Sequence, residues 1–252
     1  SNMSDIYMHS KMARAIIQKT NRDIDEPIAF LGAQSSDPMY YATFHKEATQ
    51  YRFYADRMHD TDTQKLLIHL VNYVKEHPTR STYSFLLGFI CHYALDVHIH
   101  PYVYHKVGIY HEDDPTTHSY RGLHLKFERS MDAVLIRQDL KIPSRKLQLA
   151  KTYFPIKVPN EDVTNMMKSS FHNQFGILNG DEVYQTSVRH MYNVVRFIAT
   201  DRLGIKKQIY KLYDHFHQKA DLFMADLSFF NHEEDFDFLN LKKRSWHHPV
   251  TN

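Results

Sequence analysis

Gly88-Phe89-Ile90-Cys91-His92-Tyr93-Ala94-Leu95-Asp96-Val97-His98-Ile99-His100-Pro101 sets His92, Asp96 and His100 four residues apart inside an apolar run. On a helix of about 3.6 residues per turn, positions i, i+4 and i+8 share one stripe, so two imidazoles and a carboxylate face the same way. The neighbours Phe89, Ile90, Ala94, Leu95 and Val97 predict burial, where a carboxylate without a partner is expensive. A helix that carries a metal site answers both observations. Pro101 predicts the end of that helix near His100, because the residue before a proline is pushed out of the α region.

A second stripe follows. The segment from about 118 to 137 reads as a helix with His124, Glu128 and Asp132 at the same spacing. Upstream, Leu31-Gly-Ala-Gln-Ser-Ser-Asp37-Pro38 is small, polar and closed by proline, which predicts a turn presenting Asp37 at a fixed geometry. Helical periodicity also marks 4–18 (with Ser4 as an N-cap), 40–58, 61–77, 81–100, 144–154, 160–176, 182–200 and 203–225, with breaks at Pro155, Pro159, Gly180 and Gly204. The aromatic tail from 227 to 252 is expected to pack back on the domain.

Only 7 Gly and 9 Pro in 252 residues, with 42% apolar content, favour an all-α chain with an ample core. No Gly/Ser-rich linker or repeat divides it, so residues 1–252 read as one multi-helix bundle around a buried polynuclear metal site, with Ser1-Asn2 as the remnant of a cleaved tag. The formal charge of +2 gives no electrostatic footprint for stable nucleic-acid binding. The lone Cys91 excludes an internal disulfide and, with no signal-peptide or membrane-spanning run, predicts a cytoplasmic location. Nineteen His residues are the compositional outlier, and His77, His111, His172, His217 and His232 read as surface positions. A ligand set of His and carboxylates without Cys favours catalytic zinc, and iron or manganese would also be accepted.

Leu31-Gly-Ala-x-x-x-Asp37-Pro, Met58-His59-Asp60, Gly88-x-x-x-His92-Tyr-x-x-Asp96-x-x-x-His100-Pro and His124-x-x-x-Glu128 resemble the bacterial zinc-dependent phospholipase C family. That family is related to the single-strand-specific nucleases. The ending Asn240-Leu-x-x-Arg-x-Trp246-x-x-Pro249 is similar to its small intracellular branch. The resemblance implies that Asp37, His59, His92 and Asp96 hold one zinc ion, that His100, His124 and Glu128 hold a second, and that Asp96 bridges to a third. His9 matches a histidine that serves the third ion in secreted members. Those members complete that ion with the amino group of a mature N-terminal tryptophan, which has no counterpart near this N-terminus.

The implied activity is metal-activated attack of water on a phosphodiester of a phospholipid headgroup or other small phosphate ester, with Asp37 as both ligand and general base. A nucleotide or nucleic-acid phosphodiesterase or phosphatase on the same site, and a non-catalytic bundle stapled by metal, are the alternatives. His45 competes with His59 for the first ion, and the family pattern favours His59. His98 and His105 read as surface or supporting histidines; Tyr93 and Tyr104 could reach a substrate phosphate, with packing the default, and Asp132 could support a ligand, with a helix-surface carboxylate the default. Without a basic amphipathic helix in the sequence pattern, transient membrane contact falls to the aromatic loops and tail.

Overall fold

The computed structural model describes residues 6–60, 63–111, 113–120, 122–217 and 245–246. Among these there are ten α-helices and no strand, in keeping with the all-α class that the sequence predicts: α1 Ile6–Lys19, α2 Glu26–Ala33, α3 Ala48–Asp60, α4 Thr63–Glu76, α5 Arg80–Val107, α6 Leu123–Leu140, α7 Leu149–Tyr153, α8 Glu161–Phe175, α9 Gly180–Asn193 and α10 Ile205–Phe216. Among the described residues no helix is long and apolar enough to cross a membrane. The chain forms two compact units, one from Ser1–Met8, Leu95–Leu149 and Arg196–Asn252, the other from His9–Ala94 and Ala150–Val195. Most of tail 227–252 and Ser4 lie outside the described residues.

In the His9–Ala94 and Ala150–Val195 unit, Phe30, Leu31, Met39, Tyr41, Phe85, Phe89, Phe154, Phe171 and Tyr184 are fully buried. Helix α2 was not evident from periodicity, because all its residues from Ile28 to Ala33 are buried and it shows no polar face. It begins at Asp25, whose side chain accepts from the Ile28 amide, and Pro27 suits a first-turn position that has no donor to lose. Two glycines let α2 and α5 touch backbone to backbone: a Cβ on Gly32 would collide with the Phe85 carbonyl, and one on Gly88 with the Ala29 carbonyl. Gly180, expected as a break, opens α9 instead, and its bare Cα faces the Phe171 ring.

The other unit has a core of Met8, Val103, Val107, Phe127 and Met131, ringed by Leu95, Ile99, Tyr102, Leu123 and Leu135. Helix α5 corrects the expectation drawn from Pro101, since it runs on to Val107 with the proline inside it. The carbonyl that loses its helical donor belongs to Val97, a residue 52% exposed, where water can replace the bond. Val97 and Ile90 are exposed, so the run quoted first is amphipathic rather than wholly buried. Asp132 is the larger correction. It is fully buried, and its two oxygens accept from the Tyr7 and Met8 amides at 3.0 and 3.1 Å, satisfying orphan donors at the start of α1. Trp246 packs edge-on to Tyr102, centroids 5.4 Å apart.

Candidate metal centre

Three elements of one unit converge on the first group. Asp37 opens a 3-10 turn after a buried loop of Gln34, Ser35 and Ser36, in which Ser35 takes a left-handed φ of 53°. A non-glycine residue in that region stores of order 1 kcal/mol of strain, which the surrounding packing must hold. His59 comes from the last turn of α3, and its Nε2 lies 2.6 Å from Asp37 Oδ1. His92 comes from α5, with Nε2 4.0 Å from Asp37 Oδ2, too long for a hydrogen bond.

The glycine contact between α2 and α5 now has a consequence. It brings the Ala33 carbonyl 2.6 Å from His92 Nδ1, so that nitrogen donates and Nε2 is left with its lone pair. His9 is buried and stacks on the His92 ring with centroids 4.0 Å apart. Tyr40 stacks on His59 at 5.8 Å, and its hydroxyl donates to Asp56 at 2.6 Å. Thr63 donates to the Met58 and His59 carbonyls at the end of α3. His45 is placed elsewhere, stacked on Tyr51 and edge-on to His190.

The second group belongs to the other unit. His124 and Glu128 are one turn apart on α6, with Nε2 to Oε1 2.8 Å, and His100 Nε2 from α5 lies 3.7 Å from the same oxygen. Asp96 Oδ1 is 3.6 Å from His100 Nε2. Tyr104 lines both imidazoles, its ring 5.7 Å from His100 and 5.6 Å from His124. Burial alone would raise the Glu128 carboxyl, but His124 and His100 beside it outweigh that and hold it down at about 2. Its Oε2 is buried, with no hydrogen-bond partner among the described residues.

The donor sets fit zinc. Ligand atoms each about 2 Å from one ion lie within about 4 Å of each other. One nitrogen or oxygen from each of Asp37, His59 and His92 lies within 4.8 Å of the others, and the same is true of His100, His124 and Glu128. A buried carboxylate oxygen without a donor, as in Glu128, is what a cation would satisfy. His98 and His105 are exposed, and His105 lies against Trp246.

An all-α chain with histidine–carboxylate groups of this composition has the features of a class of helical metalloprotein. A sequence model of the zinc-dependent phospholipase C family matches residues 8–179, and the chain belongs to that family. No curated protein and no solved structure matches it. Zinc is the metal that family and donor groups together support.

Proposed function

We propose that the chain hydrolyses the phosphodiester of a phospholipid headgroup, with Asp37, His59 and His92 holding one zinc ion and His100, His124 and Glu128 a second. The observation that supports this most is His92, whose Nδ1 is committed to the Ala33 carbonyl while Nε2 lies in a buried group with Asp37 and His59. Bound zinc would supply a water of lowered pKa and draw charge from the phosphoryl group.

The chain's own residues do the rest. Asp37, fixed by the buried loop before it and by Pro38 after it, presents two oxygens: Oδ1, beside His59 Nε2, would share the metal with that nitrogen, and Oδ2 is the general base that takes the proton of the attacking water. His59 and His92 stay neutral to ligate, so metal affinity falls as histidines protonate. Asp96, beside His100, adds a carboxylate to the second group, and His9, stacked on His92, is the ligand for a third position.

The test is metal analysis of the purified protein with a chromogenic phosphocholine diester assayed before and after chelation. Loss of hydrolysis with helicity retained, and its return with added zinc, is the expected result. Undiminished turnover in a fully metal-free protein would sink the proposal. Loss of the fold on chelation, without any prior hydrolysis, would favour a metal that only staples the bundle.

A further inference from the structure

Helix α10 is turned inside out. The residues it faces inward are polar: Lys207 is buried, and Tyr210 and Asp214 are half-buried. That inner face is anchored by hydrogen bonds, with Asp201 accepting from the Lys206 and Lys207 amides and the Tyr210 hydroxyl donating to the Ile198 carbonyl. Its outward face is apolar. Ile205, Ile209, Leu212 and Phe216 form one stripe and are 59%, 59%, 62% and 72% exposed. Leu203 and Phe197, just before the helix, are 81% and 58% exposed. An ordinary surface helix shows the reverse pattern, and a contiguous apolar patch of this kind marks an interaction site.

Charge selects the partner. From residue 196 to 217 the acids are Asp201, which is buried, and Asp214, which is half-buried, whereas Arg196, Arg202, Lys206 and Lys211 are exposed, the Lys206 ammonium donating to the Phe197 and Thr200 carbonyls. The exposed face therefore combines large apolar side chains with basic ones and carries no exposed acid. That is the composition of a helix lying in the headgroup layer of an anionic bilayer, its apolar stripe sunk among the acyl chains and its cations at the phosphates. We propose that α10 and the turn before it form a docking face for an anionic phospholipid surface. The face contains none of the proposed metal ligands.

The experiment is co-sedimentation of the full-length, zinc-loaded protein with vesicles of phosphatidylcholine alone and of phosphatidylcholine mixed with phosphatidylserine. Binding is expected on the mixed vesicles, weakening as salt is raised. Ile209→Ser/Leu212→Ser should lower it at least about tenfold by removing buried apolar area. Lys211→Glu should lower it about fivefold or more and reduce the preference for phosphatidylserine. Both variants lie on the exposed face, so hydrolysis of the soluble chromogenic diester and the circular dichroism spectrum should stay unchanged.

Absence of wild-type binding to either vesicle would overturn the proposal, as would equal binding to both, or variants that bind like wild type. Concentration-dependent self-association abolished by Ile209→Ser/Leu212→Ser would overturn it too, assigning the face to a second copy of the chain. Docking without hydrolysis of any diester would leave this face standing and remove the catalytic proposal; hydrolysis without docking would do the opposite.

Discussion

The two candidate metal groups, Asp37–His59–His92 and His100–His124–Glu128, are built by different means. In the first, Asp37, His59 and His92 come from a 3-10 turn, the end of α3 and the middle of α5, so that tertiary packing alone brings them together. In the second, His124 and Glu128 are neighbours on a single helix turn, and only His100 is delivered from elsewhere. Exposure separates the imidazoles and not the carboxylates: His59 and His92 are 8% and 3% exposed, against 18% and 15% for His100 and His124, while Asp37 and Glu128 are 1% and 4%. A site assembled by packing is pre-organised and guarded from water, and a site written on one helix turn is open and cheap to form. The first group should therefore hold its ion tightly and position the reaction, while the second should exchange its ion more readily.

The strongest way to break this comparison is Asp37→Asn. If Asp37 acts as base as well as ligand, kcat should fall by about 10²- to 10⁴-fold with zinc still bound, read by steady-state kinetics beside metal analysis. Retained zinc with full turnover would strip Asp37 of the second role. Next in size is Gly88→Ala. Alanine is the better helix former by about 1 kcal/mol, yet here its methyl meets the Ala29 carbonyl, and overpacking should destabilise the unit by about 1–3 kcal/mol in a denaturant titration. By pushing Ala33 off His92, the same change should weaken zinc at the first group and spare the second. Equal loss at both groups would show that they are not independently built.

His92→Ala and His124→Ala sharpen the contrast in metal exchange. Competition with a chelating dye should show one slow and one fast zinc ion in the wild type, with His92→Ala removing the slow phase and His124→Ala the fast one. The smallest effect concerns acid stability of the chelated protein. Glu128 titrates at about 2 when folded and near 4.3 when unfolded, so the unfolded state binds more protons between those values. Its contribution is present above about pH 4.3 and is lost as pH falls through 2. Glu128→Gln should flatten that part of the stability profile, and an unchanged slope would mean that the two histidines do not hold the carboxylate down.

How much of this could be read from the chain depended on whether a feature was local. His124 and Glu128 needed only helical spacing, and the structure pairs them at 2.8 Å. The all-α class and the broad helical segments were equally legible, because amphipathic period is a local signal. Helix α2 was not, being buried on every side of its later turns. Asp132 shows the same limit from the other direction. One turn past Glu128 it looks like any helix-surface carboxylate, and only the arrival of the α1 amides makes it an interior group. Pro101 misled because the local rule says where a helix prefers to stop, while packing of Val103 and Val107 decides that it continues. The inverted face of α10 was hidden for a related reason: periodicity reveals an apolar stripe and is silent about which way it points.

The two bonds from Tyr7 and Met8 to Asp132 bear on the order in which the chain folds. They span 125 and 124 residues, so the first turn of α1 has no acceptor for these amides until a loop of more than a hundred residues has closed. Helix α1 cannot be an early local nucleus at that end; it is finished by α6. In pulsed hydrogen exchange during refolding, the Tyr7 and Met8 amides should gain protection no sooner than the middle of α6, and Asp132→Asn should delay theirs alone. The residue that follows them is His9, so the last ligand made ready would be the one nearest the start of the chain.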